Sequence, residues 1–155
     1  RTMRDRNTIA VTILVCDDDE DDRKLTEQAL RDARVSNRVL FVEDGEQQLD
    51  YLYQRGDFSG ETGNAPRPGL ILLDLNMPKV DGRDALKMIK GDAALRDIPI
   101  VVLTTSRLDE DIVRSYQLGV NSFMTKPVTF SGLVEAMKIL SRYWLEIVEL
   151  PPVHA

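Results

Sequence analysis

Five short apolar runs recur along the chain: Ile9 to Cys16, Arg38 to Val42, Leu70 to Leu73, Ile98 to Leu103 and Ser122 to Met124. Each ends in polar or small residues, the boundary expected of a strand. The first, third and fourth carry unbroken apolar stretches, Ile13-Leu14-Val15, Leu70-Ile71-Leu72-Leu73 and Ile100-Val101-Val102-Leu103. A parallel strand covered on both faces requires such a stretch, because neither side meets water. Between the runs lie residues at helical spacing: Leu25, Ala29 and Ala33; Leu49 and Leu52; Ala85, Met88 and Ile89; Ile112, Val113 and Tyr116. This alternation predicts a doubly wound α/β sheet with right-handed crossovers. Asp21-Asp22 and Asp109-Glu110-Asp111 complement the positive ends of the first and fourth helices, and Gly119 suits a left-handed C-terminal cap.

Two stretches exceed a minimal domain. Gln54 to Pro68 is polar, rich in glycine and proline, and long for a helix-to-strand connection, so a mobile surface insertion is expected. The last helix keeps its apolar spacing from Phe130 through Leu133, Val134, Met137, Leu140, Trp144, Ile147 and Val148 until Pro151-Pro152 stops it. A helix of about twenty residues reaches ~30 Å, against ~17–20 Å for a typical strand, so its end overhangs the sheet. Ile139, Tyr143, Leu145 and Leu150 add apolar surface off the main stripe, which favours a homodimer contact over a helix end folded back on its own domain.

At 155 residues the chain suits one domain, expected over residues 8–150, with 1–7 a flexible start, 151–155 a tail and no output domain. A net charge of −6 argues against direct binding to nucleic acid or anionic membrane. Cys16 is the sole cysteine, which excludes an intramolecular disulfide and a cysteine-based zinc cage. Neither a secretory h-region nor a run of about 18 apolar residues is present, and the expected setting is the reducing cytoplasm.

Candidate chemistry gathers where the apolar runs end. Asp17-Asp18 close the first, Asp74 the third, Thr104 the fourth, and Lys126-Pro127 follow the fifth. In an open α/β sheet the carboxyl ends of the strands line the ligand crevice. Carboxylates gathered there repel one another by about 4 kcal/mol per pair at ~4 Å and an effective dielectric near 20, which calls for a cation. Oxygen-only ligands point to Mg²⁺ or Mn²⁺. Metal and Lys126 together could neutralise a phosphoryl group on a carboxylate, and the Thr104 hydroxyl could donate to it. Each residue also has an ordinary reading: Asp17 to Asp22 as an acidic helix start, Thr104 as a β-branched strand residue, Phe123 as a fixed core aromatic. Pro127 holds Lys126 extended, and an X-Pro bond at such a turn can be cis.

The motifs Ile13 to Asp19, Leu72 to Gly82 (Leu-Leu-Asp-Leu-Asn-Met-Pro-Lys-Val-Asp-Gly), Pro99 to Thr105 and Met124-Thr125-Lys126-Pro127 together resemble the receiver domain of two-component response regulators. The resemblance spans roughly residues 8–140 and implies a flavodoxin-like five-stranded sheet of order 2-1-3-4-5. It makes Asp74 the phosphoacceptor, with Asp18 and Asp74 ligating Mg²⁺ directly, the backbone carbonyl of Asn76 a further ligand and Asp17 acting largely through water. It makes Thr104 the switch hydroxyl, Phe123 the switch aromatic in place of the usual tyrosine, and Lys126 the phosphate-binding cation before a cis Pro127. Asn76 and Ser106 fall at positions that tune dephosphorylation in the family.

The donor would be a phosphohistidine on a separate histidine kinase, since His154, the only histidine, lies beyond Pro151-Pro152. The tail from Tyr143 to Pro151 and the Gln54 to Pro68 loop resemble those of regulators paired with bacterial phytochrome kinases. Such relatives dimerise through the extended last helix, with the response on the fourth helix, fifth strand and fifth helix. Beyond phosphorylating and dephosphorylating itself, the protein is not expected to be an enzyme. Two alternatives are an aspartate-nucleophile phosphohydrolase, from Asp17-x-Asp19, and a phosphorylation-independent interaction module.

Overall fold

The computed structural model describes residues 12–60, 65–74, 82–104, 117, 119–120, 122–127 and 129–142. Within them the order is β1 (Thr12–Cys16), α1 (Glu20–Asp32), β2 (Arg38–Val42), α2 (Gly45–Tyr53), β3 (Leu70–Leu73), α3 (Gly82–Gly91), β4 (Ile100–Thr104), β5 (Ser122–Thr125) and a last helix (Phe130–Ser141). The five strands form one parallel sheet in the order β2-β1-β3-β4-β5. This is the doubly wound flavodoxin-like arrangement expected above, with its reversal of direction between β1 and β3.

Period-two alternation divides the apolar runs between two cores. Ile13, Val15, Leu70, Leu72, Val101 and Leu103 face one side, packed with Ala29 and Leu30 of α1 and Leu133, Met137 and Leu140 of the last helix. Leu14, Cys16, Ile71, Leu73, Ile100 and Val102 face the other, with Leu49 and Tyr51 of α2 and Leu86 and Ile89 of α3. No polar alternation appears in β1 or β3 because both faces are covered.

Helix starts follow the capping rules. Asp19, Asp44 and Thr129 are N-caps whose side chains accept from Asp22 N, Gln47 N and Gly132 N, and Glu20, Asp21 and Asp22 load the first turn of α1. Gly119, expected to be left-handed, has φ of +96°.

Several expectations are corrected. Leu25 and Met88 fit the helical spacing yet are 46% and 48% exposed; Thr26 and Leu30 take the inward positions of α1 instead. Ala29 of the same spacing is fully buried, so the inward face is the expected one at Ala29 and only its edge shifts, from Leu25 to Thr26 and Leu30. Phe130, counted in the main stripe of the last helix, is also exposed, and Ile139 is exposed as its off-stripe position implies.

The Gln54 to Pro68 connection is not a free loop in its described parts. Gln54 caps α2 in the left-handed region, a 3-10 turn spans Gly56–Phe58, and the Phe58 ring meets Tyr51 edge-on at 5.3 Å. Tyr51 Oη donates to Pro66 O at 2.7 Å, Gln54 Nε2 to Ala65 O at 3.0 Å, and Arg67 Nη1 to Ala94 O at 2.6 Å. Aromatic packing and backbone capture therefore anchor both ends; residues 61–64 lie outside the described set.

The Lys126–Pro127 bond is trans, for the described backbone contains no cis peptide. The trans form is preferred by ~0.5–1 kcal/mol before proline, and proline holds its predecessor extended in either isomer. The fourth helix, the last helix beyond residue 142 and the dimer contact assigned to it lie outside the described residues.

Two stability predictions follow from the α2 core. Gln48 is fully buried with neither amide atom hydrogen-bonded. An unpaired buried polar group costs about 1–3 kcal/mol, so Gln48→Met, similar in volume, should raise the unfolding free energy in urea by ~1–2 kcal/mol. Burial pushes the Tyr51 phenol from its ordinary value near 10 up to about 12. The folded state then holds a proton that the unfolded chain has lost, so stability should decline as pH rises from 10 to about 12. Tyr51→Phe should remove that decline and cost about 1 kcal/mol at neutral pH through the lost bond to Pro66, both read from denaturant melts across pH.

Candidate functional site

Strand register brings the acidic residues together. Cys16 pairs with Val42 on one side and with Leu73 on the other, so β1 and β3 end level. Asp17 and Asp74 leave the sheet side by side; Asp17 N donates to Val42 O and Asp74 N to Cys16 O. On the far side Leu73 pairs with Val102, and Thr104 with Thr125. Lys126 thus starts about two residues beyond the level of Asp74, roughly 7 Å of strand rise, a gap its long side chain spans in folding back.

The Lys126 ammonium meets three carboxylates: Asp17 Oδ2 at 2.7 Å, Asp22 Oδ2 at 3.1 Å and Asp74 Oδ2 at 3.4 Å. Burial alone would lower the pKa of Lys126, but the hydrogen bond to Asp17, the charges of Asp74 and Asp17 and the hydrogen bond to Asp22 together hold it above the ordinary lysine value. It is therefore a permanent cation. Asp17 is 2% exposed, and burial holds its carboxyl above the usual range despite the opposing pull of Lys126 and of Asp19 N. Its Oδ1 accepts from Asp19 N at 3.0 Å, leaving both oxygens engaged.

Carboxylate oxygens of Asp17, Asp18 and Asp74 lie within 4.8 Å of one another, Asp17 buried, Asp74 half-buried and Asp18 exposed. One ammonium cannot neutralise three carboxylates and Asp22 besides, and the donors are oxygen only. A hard divalent cation suits that set.

The structure thus joins Asp17, Asp18, Asp74 and Lys126 at one strand edge. Thr104 ends β4 beside Thr125, but its side chain, Asn76 and Ser106 lie outside the described set. Phe123 is half-buried on β5 and packs against the α2–α3 core. Two residues escaped the sequence reading. Arg23 Nη1 donates to the Asp17 carbonyl at 2.9 Å while Nη2 lies 3.7 Å from Glu43, tying the Asp17 turn to the end of β2. Asp22 was read only as complementing the helix dipole. Spacing held the one available hint, since both lie one helical turn beyond the acidic pair. Cys16, fully buried and with its thiol pushed up by burial and then by the charge of Asp17, is inert.

Known proteins share this chain's sequence pattern and its 2-1-3-4-5 sheet. The response regulator receiver domain pattern matches residues 13–138, and the chain belongs to that family. The response regulator Rcp1 of Synechocystis is 38% identical over 149 residues, covering 96% of this chain and 99% of Rcp1. The phosphorylated cyanobacterial phytochrome response regulator RcpA superposes with a TM-score of 0.83 at 42% identity, covering 92% of this chain and 99% of RcpA. The Mn²⁺-bound form of Rcp1 gives a TM-score of 0.82 at 38% identity, with the same coverages.

Because the Asp17 carboxyl is raised, its ionised form opposes folding of the metal-free protein at neutral pH. The folded state binds the extra proton, so this cost disappears as pH falls through the folded value toward the ordinary 3.8. The stability of Asp17→Asn relative to the parent, read from melts in chelator, should therefore rise as pH climbs from the ordinary 3.8 toward neutrality, on top of a pH-independent loss from the broken Lys126 contact.

Proposed function

We propose that this receiver accepts a phosphoryl group on Asp74 from a phosphohistidine of a sensor histidine kinase, with Mg²⁺ or Mn²⁺ held by Asp17, Asp18 and Asp74 and by the backbone carbonyl of Asn76. The observation that carries the reading is the single ammonium set among Asp17, Asp22 and Asp74, since Lys126 at 3.4 Å from Asp74 Oδ2 can follow a phosphoryl oxygen placed there. A bound divalent ion would supply charge neutralisation of the phosphoryl oxygens. In the transfer the P–N bond of the donor breaks, its electron pair returns to the imidazole, and a P–O bond forms to Asp74. Lys126 balances charge; Asp17, held by Asp19 N, shapes the acidic floor. Thr104 supplies the switch hydroxyl and Phe123 the ring that follows it.

Resemblance to Rcp1 and RcpA supports a phytochrome-type photoreceptor kinase as the donor. The exposed Ile139 supports a homodimer through the last helix, as part of the expected face of fourth helix, fifth strand and last helix, and the acidic net charge supports a protein target over nucleic acid. Among the described residues no helix is long and apolar enough to cross a membrane. Catalysis is confined to the protein's own phosphorylation and dephosphorylation. A phosphohydrolase would need Asp17 as nucleophile, yet both of its oxygens are engaged and it is buried.

Incubated with Mg²⁺ and acetyl phosphate, the protein should shift on a phosphate-affinity gel and Asp74→Asn should not. Undiminished labelling of Asp74→Asn would overturn the assignment.

A further inference from the structure

An ammonium has three N–H donors, and all three of those on Lys126 have a carboxylate within reach. Two of these acceptors, Asp17 and Asp74, belong to the trio whose oxygens cluster within 4.8 Å. Asp22 does not. It is also the most open of the three, its side chain 43% exposed against 3% for Asp17 and 12% for Asp74. Its placement is built into the fold: Asp22 N donates to the Asp19 cap, which fixes the first turn of α1 and aims this one of its three acids at Lys126. Glu20, on the same turn, pairs instead with Lys24 at 3.2 Å.

We propose that Asp22 is a positioning residue that holds the Lys126 ammonium at the mouth of the site and competes with an incoming anionic phosphoryl group for it. The inference rests on the acceptor reading given above and adds a regulatory element to the same site. A cation gathered into the trio withdraws Asp17 and Asp74 from Lys126, because those carboxylates have a stronger charge to satisfy. Asp22 is then the carboxylate among the described residues that still faces the ammonium. It keeps Lys126 extended across the opening, and its own negative charge meets the donor first. Asp22 therefore restrains phosphorylation by small anionic donors. A docked partner that contributes a cation to Asp22 would release Lys126 and lift the restraint.

The test uses acetyl phosphate with Mg²⁺. The acyl phosphate P–O bond breaks, acetate leaves with the electron pair, and the new P–O bond forms to Asp74. Asp22→Asn should be labelled about threefold to tenfold faster at low ionic strength, and the gain should shrink as salt screens the mouth. Asp22→Glu, which restores the charge, should stay within about twofold of the parent, and Asp21→Asn, the same charge change without the Lys126 contact, should also change the rate by less than about twofold. Equal acceleration by Asp21→Asn and Asp22→Asn would reduce the effect to general field and overturn the proposal, as would no acceleration by either.

A second readout does not depend on phosphoryl transfer. In the Mg²⁺-saturated protein the Lys126 ammonium should give a slowly exchanging ¹H–¹⁵N signal in the parent and in Asp22→Glu, and lose it in Asp22→Asn. A signal that persists in Asp22→Asn would overturn the contact. A parent protein that takes no label would refute the acceptor reading and leave this signal to judge Asp22.

Discussion

Like charges separate unless something holds them, and the backbone of this sheet does the holding. The pairing of Cys16 with Leu73 makes β1 and β3 end level, and the hydrogen bond from Asp74 N to Cys16 O carries that register past the last paired residues. Asp17 and Asp74 are thereby forced together at the place where the sheet reverses direction. A slip of one residue in either strand would turn its apolar set from one core to the other, so the same packing that stabilises the fold also fixes the site. The resulting repulsion is relieved in part by Lys126, arriving from β5 on the other side of β4.

Asp17 and Lys126 share this arrangement unequally. Lys126 gathers three carboxylates and is held cationic; Asp17 keeps an unfavourable charge because burial outweighs its partners. Breaking a buried pair by removing one member typically costs about 3–5 kcal/mol, although the pair itself contributes little net stability. Folding thus favours the charge on Lys126 and disfavours the charge on Asp17, and the site holds electrostatic tension that Lys126 relieves only in part. On the acceptor reading proposed above, a divalent cation or a phosphoryl group would change which carboxylate claims the ammonium, and a small charge event would then alter the geometry around β4 and β5.

How much of this was legible in the sequence depends on where the cause lies. The strands were legible because unbroken runs such as Leu70 to Leu73 have one physical reading in a two-layered sheet. Asp17, Asp18, Asp74 and Lys126 were legible because charges at the ends of such runs have few places to go. Helix faces were less so: Leu25 and Ala29 share the period of α1, yet Leu25 is exposed and Ala29 buried, since periodicity marks a face but not its buried edges. The anchoring of Gln54 to Pro68 rests on backbone carbonyls at Pro66 and Ala65 taken by side chains of α2 and its cap Gln54, contacts that composition does not encode. The interaction of Asp22 with Lys126 was hidden behind an equally good local explanation, the helix dipole.

The central claim is that acidic groups from β1 and β3 enclose a cation while Lys126 faces the same point from β5. The most direct measurement is an anomalous-scattering map from crystals grown with Mn²⁺. The account predicts one peak at the carboxyl ends of β1 and β3, within ligand distance of Asp18 and Asp74, with the Lys126 ammonium displaced from it toward Asp22. A crevice without manganese at saturating concentration, or Asp74 turned away from Asp18 and Lys126, would contradict it.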